Sequence, residues 1–178
     1  SSSSYHLGYF RDTPDDKCPV VVSNDPEKSC VITGVADNIF AAINQELTKR
    51  KAKCKSNDSH LSKLKSFETR FRSFATQHKI DINANQALKQ RKRKTNAPTF
   101  HKFGITVTVV DDVGYRELPE TDDKLGRIFT KISSLDNDDQ RRKCSSMSQI
   151  HNIMTLINYA NDEKDFGMGP EFGIDLFC

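Results

Sequence analysis

Hydrophobic positions recur with a strand-like period in three short stretches of the chain. Two β-branched runs, 20–22 and 30–33, flank a polar segment that contains Asn24 and Pro26, and together they predict a β-hairpin. A third stretch, 104–110, has the sequence GITVTVV and alternates like a strand. The pattern therefore predicts a small sheet.

Helical spacing of apolar residues predicts four helices. The first follows Asp37, a suitable N-cap, and the third follows Thr121, another. The last runs from about 147 to 160. The second begins at Ser59 and carries a stripe of apolar residues that we expect to be core, because such stripes are buried far more often than they bind ligands. The stripe consists of Leu61, Leu64, Phe67, Phe71 and Phe74.

The order of these elements favours an α+β protein rather than a doubly wound one. Strands come first, helices follow, and no βαβ rhythm or internal repeat is visible. We expect a single mixed domain over residues 1–178, with a small antiparallel sheet packed by several helices. Residues 83–99 contain little that could be buried, so they predict a mobile basic linker.

Composition excludes several classes of protein. The chain has 178 residues, 35% of them apolar, and no apolar run of bilayer-spanning length or secretory signal, so we expect neither a membrane partner nor secretion. Five widely spaced cysteines without a C-x-x-C pair argue against structural zinc and for a reduced intracellular compartment. The five histidines show no ligand spacing, so no metal site is predicted.

Charge is distributed unevenly along the sequence. Basic residues are concentrated between 49 and 94, and acidic residues are concentrated after 111. One basic cluster, 89–94, could contact nucleic acid phosphates or act as a nuclear address, but it has no interleaved aromatic residues for stacking. A solvated basic arm is the alternative, and direct DNA contact is left open.

Two stretches carry candidate chemistry. Asp162, Glu163 and Asp165 follow the last helix, where the helix dipole disfavours acids, and a carboxylate poised to accept a proton is one reason for that placement. An acidic solvated turn is the alternative. Tyr115 and Arg116 follow Gly114 in a turn-rich loop, and both types are enriched at binding hot spots. The alternative is an arginine paired to a neighbouring acid over a packed tyrosine.

Three blocks of sequence resemble the histone PARylation factor family. They are YHLGYFRDTPD from Tyr5, DVGYRELPETD from Asp112 and YANDEKDFGMGPEFGIDLFC from Tyr159. The likeness covers essentially the whole chain and is weak between 45 and 100. It implies that the chain is a fragment, the C-terminal region of such a protein.

The resemblance implies a nuclear, monomeric accessory factor for DNA-damage-dependent poly(ADP-ribose) polymerases, not an enzyme on its own. Such a factor completes the polymerase active site and directs ADP-ribose onto serine in histones and other substrates. Glu163 would be the catalytic carboxylate with Asp162 beside it, while Tyr115, Arg116 and Asp112 would contact the polymerase. The polymerase would hold NAD, so no cofactor is expected on this chain.

Two other functions remain open from the residues alone. The first is a nucleic-acid or chromatin-binding module that uses the basic arm, which would lose affinity steeply with salt. The second is an autonomous ADP-ribosyl hydrolase in which Asp162 and Glu163 work with Glu171 or Asp175, because paired carboxylates also cleave glycosidic bonds.

Overall fold

The computed structural model describes residues 4–55 and 59–178, which pack as two compact units, 1–93 and 94–178. Three strands and seven helices are formed in this part of the chain, which confirms the predicted α+β class and the small antiparallel sheet. The predicted extent of the domain, 1–178, stays a prediction. None of the described helices combines the length and the apolar character needed to cross a membrane.

The first unit is built on an antiparallel sheet with strand order β1-β2-β3. The strands are β1 His6–Phe10, β2 Val20–Asn24 and β3 Thr33–Ala36. The β2–β3 pair realises the predicted hairpin, with a register irregularity between Val21 and Val22. Sequence patterns did not indicate β1, which has only one half-buried aliphatic side chain, Leu7, on its inner face.

Three helices complete this unit, namely α1 Ile39–Lys53, α2 Ser59–Gln77 and α3 Gln86–Lys94. Asn38, not Asp37, caps α1, and its side chain accepts from the Ala41 N–H at 2.8 Å. The Asp37 carboxylate instead accepts from the backbone N–H groups of Ala87 and Leu88 at the start of α3, both at 2.9 Å.

Two expectations for this unit need correction. Phe71 of the α2 stripe is buried, but Phe67 and Phe74 remain 49% and 48% exposed, because the Phe40 ring covers only part of the stripe. The segment 83–99, expected to be a mobile basic linker, contains α3. Arg91 of this helix is buried, which apolar patterning could not reveal, and the mobility of the segment stays a prediction.

The second unit is helical, with α4 Asp122–Ser133, α5 Asp138–Lys143, α6 Ser145–Asp162 and α7 Met168–Phe177. The predicted starts of α4 and α6 are confirmed to within two residues. Its core lies between α4, α6 and α7, and the buried residues are Leu125, Ile128, Ile150, Ile153, Ile157, Ala160, Met168 and Phe172.

The predicted strand at 104–110 is wrong. This described segment makes only isolated bridges, between Ala97 and Ile105 and between Val110 and Val113. Gly104 has φ +74°, which breaks an extended run at its first residue, and the Val107 N–H donates to the Asn96 side chain at 2.8 Å instead of to a neighbouring strand. A β-branched alternating run thus forms a tethered loop here.

Candidate surface carboxylate site

A tight hairpin presents the loop that carries Tyr115 and Arg116. Val110 and Val113 exchange backbone hydrogen bonds of 2.9 and 3.0 Å across a two-residue turn, and Asp111 and Asp112 in that turn both have positive φ, 50° and 62°. This is the geometry of a type I′ turn, in which aspartate is one of the tolerated residues. Asp112 is therefore exposed at the tip.

Gly114 fixes the base of this hairpin to the α6–α7 connection. Its N–H donates to Asp165 Oδ1 at 2.9 Å, and its carbonyl accepts from the Gly167 N–H at 2.9 Å. Gly114 has φ +132°, and a Cβ here would lie 2.2 Å from the Thr108 carbonyl oxygen. A residue with a side chain could not occupy this position without displacing the backbone.

The end of α6 orients the acidic residues. The Lys164 N–H donates to the Asn161 carbonyl at 3.0 Å and the Asp165 N–H to the Ala160 carbonyl at 2.8 Å, while Lys164 has φ +70°. These two bonds and the left-handed residue make a Schellman termination. Glu163 occupies the C-cap, so the chain reverses directly after it and turns Asp165 back toward the hairpin.

Arg116 joins the hairpin to this helix end. Its guanidinium donates to Glu163 Oε2 and pairs with Asp165 Oδ2 at 2.9 Å. Glu163 and Arg116 keep 61% and 48% of their side-chain surface exposed, whereas Asp165 is 7% exposed. The buried acid thus anchors the arginine, and the exposed acid is held at the surface. The hydrogen bond to Glu163 raises the pKa of Arg116, which stays charged.

Tyr115 points toward a second, buried acid. It hydrogen-bonds to Glu171 of α7. Burial raises the pKa of Tyr115 above its usual range, and the negative charge of Glu171 raises it further. Glu171 is 7% exposed, and burial raises its pKa to about 7. Burial also raises the pKa of Asp175, one turn further along α7, although its Oδ1 accepts from the Phe100 N–H at 2.6 Å.

The structure brings some predicted site residues together and separates others. Arg116 and Glu163 form an ion pair. Neither interpretation of the sequence predicted this pair: one placed Arg116 at a binding surface, and the other paired it with a neighbouring acid. Tyr115 is half-buried against Glu171, while Asp162 ends α6 as an exposed residue. Sequence reasoning missed the anchoring role of Asp165, although the Gly114 that binds it stands directly before Tyr115.

Within residues 4–55 and 59–178, His, Cys, Asp and Glu side chains nowhere gather in a group of three or more that could hold a metal ion. The fold and the site define an α+β protein with an arginine–carboxylate cluster on an exposed surface, in which the arginine also pairs with one buried acid.

Comparison with known proteins gives the family. The family model for histone PARylation factor 1 matches residues 1–178. Histone PARylation factor 1 of Mus musculus is 40% identical over 182 residues, and that of Danio rerio is 39% identical over 180 residues. Each alignment covers 100% of this chain and 51% of the relative, so the chain spans about half the length of these curated relatives. The chain belongs to the histone PARylation factor 1 family, as the sequence resemblance implied.

Proposed function

We propose that this chain is the part of an accessory factor that binds DNA-damage-dependent poly(ADP-ribose) polymerase and lends Glu163 to its active site for serine ADP-ribosylation of histones. The relatives are named for histone PARylation, which supports this role. The observation that carries the residue assignment is the position of Glu163, which is exposed at a helix end that Lys164 and Asp165 hold rigidly.

The chemistry requires a base that another protein can reach. A serine hydroxyl is almost entirely protonated near neutral pH. A carboxylate within hydrogen-bond reach can accept its proton as the serine oxygen attacks the anomeric carbon of NAD and nicotinamide leaves, a contribution of about 10² to 10⁴ in rate. A carboxylate that is 61% exposed is accessible to a visiting substrate. The polymerase would hold NAD, so this chain would contribute no cofactor and would be inactive alone.

Arg116 would act in two ways. Its guanidinium pairs with the Glu163 carboxylate in the free protein, and its own exposed surface is available to a partner. Because the same guanidinium also pairs with buried Asp165, it can release Glu163 without losing every acidic partner. Asp112 and Tyr115 would complete the contact with the polymerase, and Asp162 would lie beside the base. The factor would act as a monomer in the nucleus.

The autonomous hydrolase gains no support from the geometry. Asp175 is 1% exposed and accepts from a backbone N–H, and Glu171 is buried against Tyr115, whereas Asp162 and Glu163 face solvent. A hydrolase would need its two carboxylates to flank one substrate bond.

Reconstitution tests the proposal. Polymerase, nicked DNA, NAD and a serine-containing histone peptide are incubated with and without the chain, and modified serine is measured by mass spectrometry. We expect Glu163→Gln to lower the rate of serine modification by about 10² or more while the polymerase is still bound. Asp139→Asn, which changes an exposed acid of α5, serves as the matched control. Serine modification by the Glu163 variant at the control rate would refute the assignment.

Arg116→Ala tests the contact surface separately. If this arginine anchors the partner, truncation should weaken the polymerase complex by about 30-fold or more, as measured by titration calorimetry. An unchanged dissociation constant would exclude Arg116 from the interface.

A further inference from the structure

Helix α3 has an unusual charge composition. Its sequence is QALKQRKRK, with five cations and no acid. Arg91 is directed into the fold, where it makes two hydrogen bonds of 2.8 and 2.7 Å to the Asp12 carboxylate and lies 4.8 Å above the Phe10 ring. The remaining four cations, Lys89, Lys92, Arg93 and Lys94, are exposed.

Ion pairing within the fold does not account for these four cations. On α1 and α2, Arg50 pairs with Glu46 at 3.0 Å and Arg72 with Glu68 at 3.1 Å, each at i,i+4 spacing. No ion pair involves an exposed cation of α3 in the part of the chain that the structure describes. Lys94 at the last position suits the helix dipole. Lys89 and Arg93 add repulsion, since like charges at i,i+4 are unfavourable.

The fold holds this cationic surface in place at both ends of the helix. Asp37 accepts hydrogen bonds from Ala87 and Leu88 at the N-terminus, and the Arg91–Asp12 pair fixes the opposite end. Lys89 and Arg93 are four residues apart, so they lie on one face about 6 Å apart along the axis. Lys92 flanks them. We call Lys89, Lys92 and Arg93 the α3 basic patch.

We propose that the α3 basic patch binds the phosphate backbone of duplex nucleic acid. A fixed row of exposed cations matches a regular row of phosphates, and the first unit is strongly basic, with 17 Lys and Arg against 10 Asp and Glu in residues 1–93. The α3 sequence contains no aromatic residue, so it lacks the stacking platform that single strands require. Duplex bases are already stacked and present only phosphates and groove edges.

The test uses fluorescence anisotropy with a labelled DNA duplex of about 20 base pairs over a salt series. Lys89→Gln/Lys92→Gln/Arg93→Gln removes the patch but leaves Arg91 in place, and glutamine keeps a similar helix propensity. The matched control, Lys53→Gln/Lys63→Gln/Lys65→Gln, removes three exposed cations of α1 and α2. Both variants therefore have the same net charge, and circular dichroism verifies that each is folded.

We expect the patch variant to bind the duplex at least about tenfold more weakly at low salt, and the slope of log K against log salt to fall by about three. The control should lose clearly less. Equal losses in both triple variants would overturn the proposal, because net charge alone would then explain binding. The proposal would also be overturned if the chain bound single-stranded DNA or poly(ADP-ribose) more tightly than the duplex.

Discussion

The buried carboxyl of Glu171 makes stability depend on pH in a direction opposite to that of most acids. In the folded chain, burial raises its pKa from the ordinary 4.5 to about 7. Between these values the folded state binds more protons than the unfolded state, so the free energy of unfolding falls as pH rises through this range. The loss begins near pH 4.5 and is complete above about 7.

Glu171→Gln removes this titration and keeps the shape and an acceptor for the Tyr115 hydroxyl. A shift from 4.5 to about 7 corresponds to about 3 kcal/mol at about 1.36 kcal/mol per pKa unit, and about 2–3 kcal/mol of it develops between roughly pH 5 and pH 8. The side chain is 7% exposed, so solvent screens little of this energy. The variant should gain that much stability over the unmodified chain as pH rises.

Urea unfolding at both pH values, followed by far-UV circular dichroism, measures the change. Glu27→Gln, at an exposed position between β2 and β3, is the control and should show no pH-dependent gain. If the stability difference between the Glu171 variant and the unmodified chain is the same at both pH values, Glu171 titrates normally and the reasoning is refuted.

The site scaffold gives two further predictions. Gly114→Ala should destabilise the second unit by more than about 2 kcal/mol, because its Cβ would lie 2.2 Å from the Thr108 carbonyl oxygen. Gly126→Ala, in an open position within α4, should stabilise the unit by up to about 1 kcal/mol. Thermal melts that rank these two variants the other way would contradict the close approach of Gly114 to Thr108. Asp165→Asn should lower the free energy of unfolding by about 1–3 kcal/mol, since it removes the charge of a buried, hydrogen-bonded acid. Asp162→Asn, at an exposed position, should change it by less than about 0.5 kcal/mol in the same assay.

Helices with a continuous apolar stripe could be predicted from sequence, and α7 shows why others could not. Its segment contains Gly167, Gly169, Gly173 and Pro170, which favour turns. In the structure Pro170 lies in the first turn, where a missing N–H costs nothing, and Gly167 permits close packing, since a Cβ there would lie 2.7 Å from Val107. The buried face of α7 also includes two acids, which apolar periodicity cannot register.

The candidate site was predictable in its residue types but not in its pairing. Arg116 and Glu163 are 47 residues apart, and no local spacing indicates that they meet. Their contact depends on two backbone features, the positive φ of Gly114 and that of Lys164. A lysine in the left-handed region gives no signal in the sequence, because glycine or asparagine is the usual residue there.

The hairpin tip is both apolar and closed by hydrogen bonds, which affects how fast and how tightly another protein could bind it. Val109, Val110 and Val113 are 43%, 61% and 41% exposed on a loop whose backbone is already closed by hydrogen bonds. Valine has few rotamers to lose, and ordering a flexible side chain on association typically costs about 0.5–1.5 kcal/mol. Another protein would therefore bind an apolar surface that is already folded. The rate of association would be limited by the relative orientation of the two proteins and not by folding of the loop.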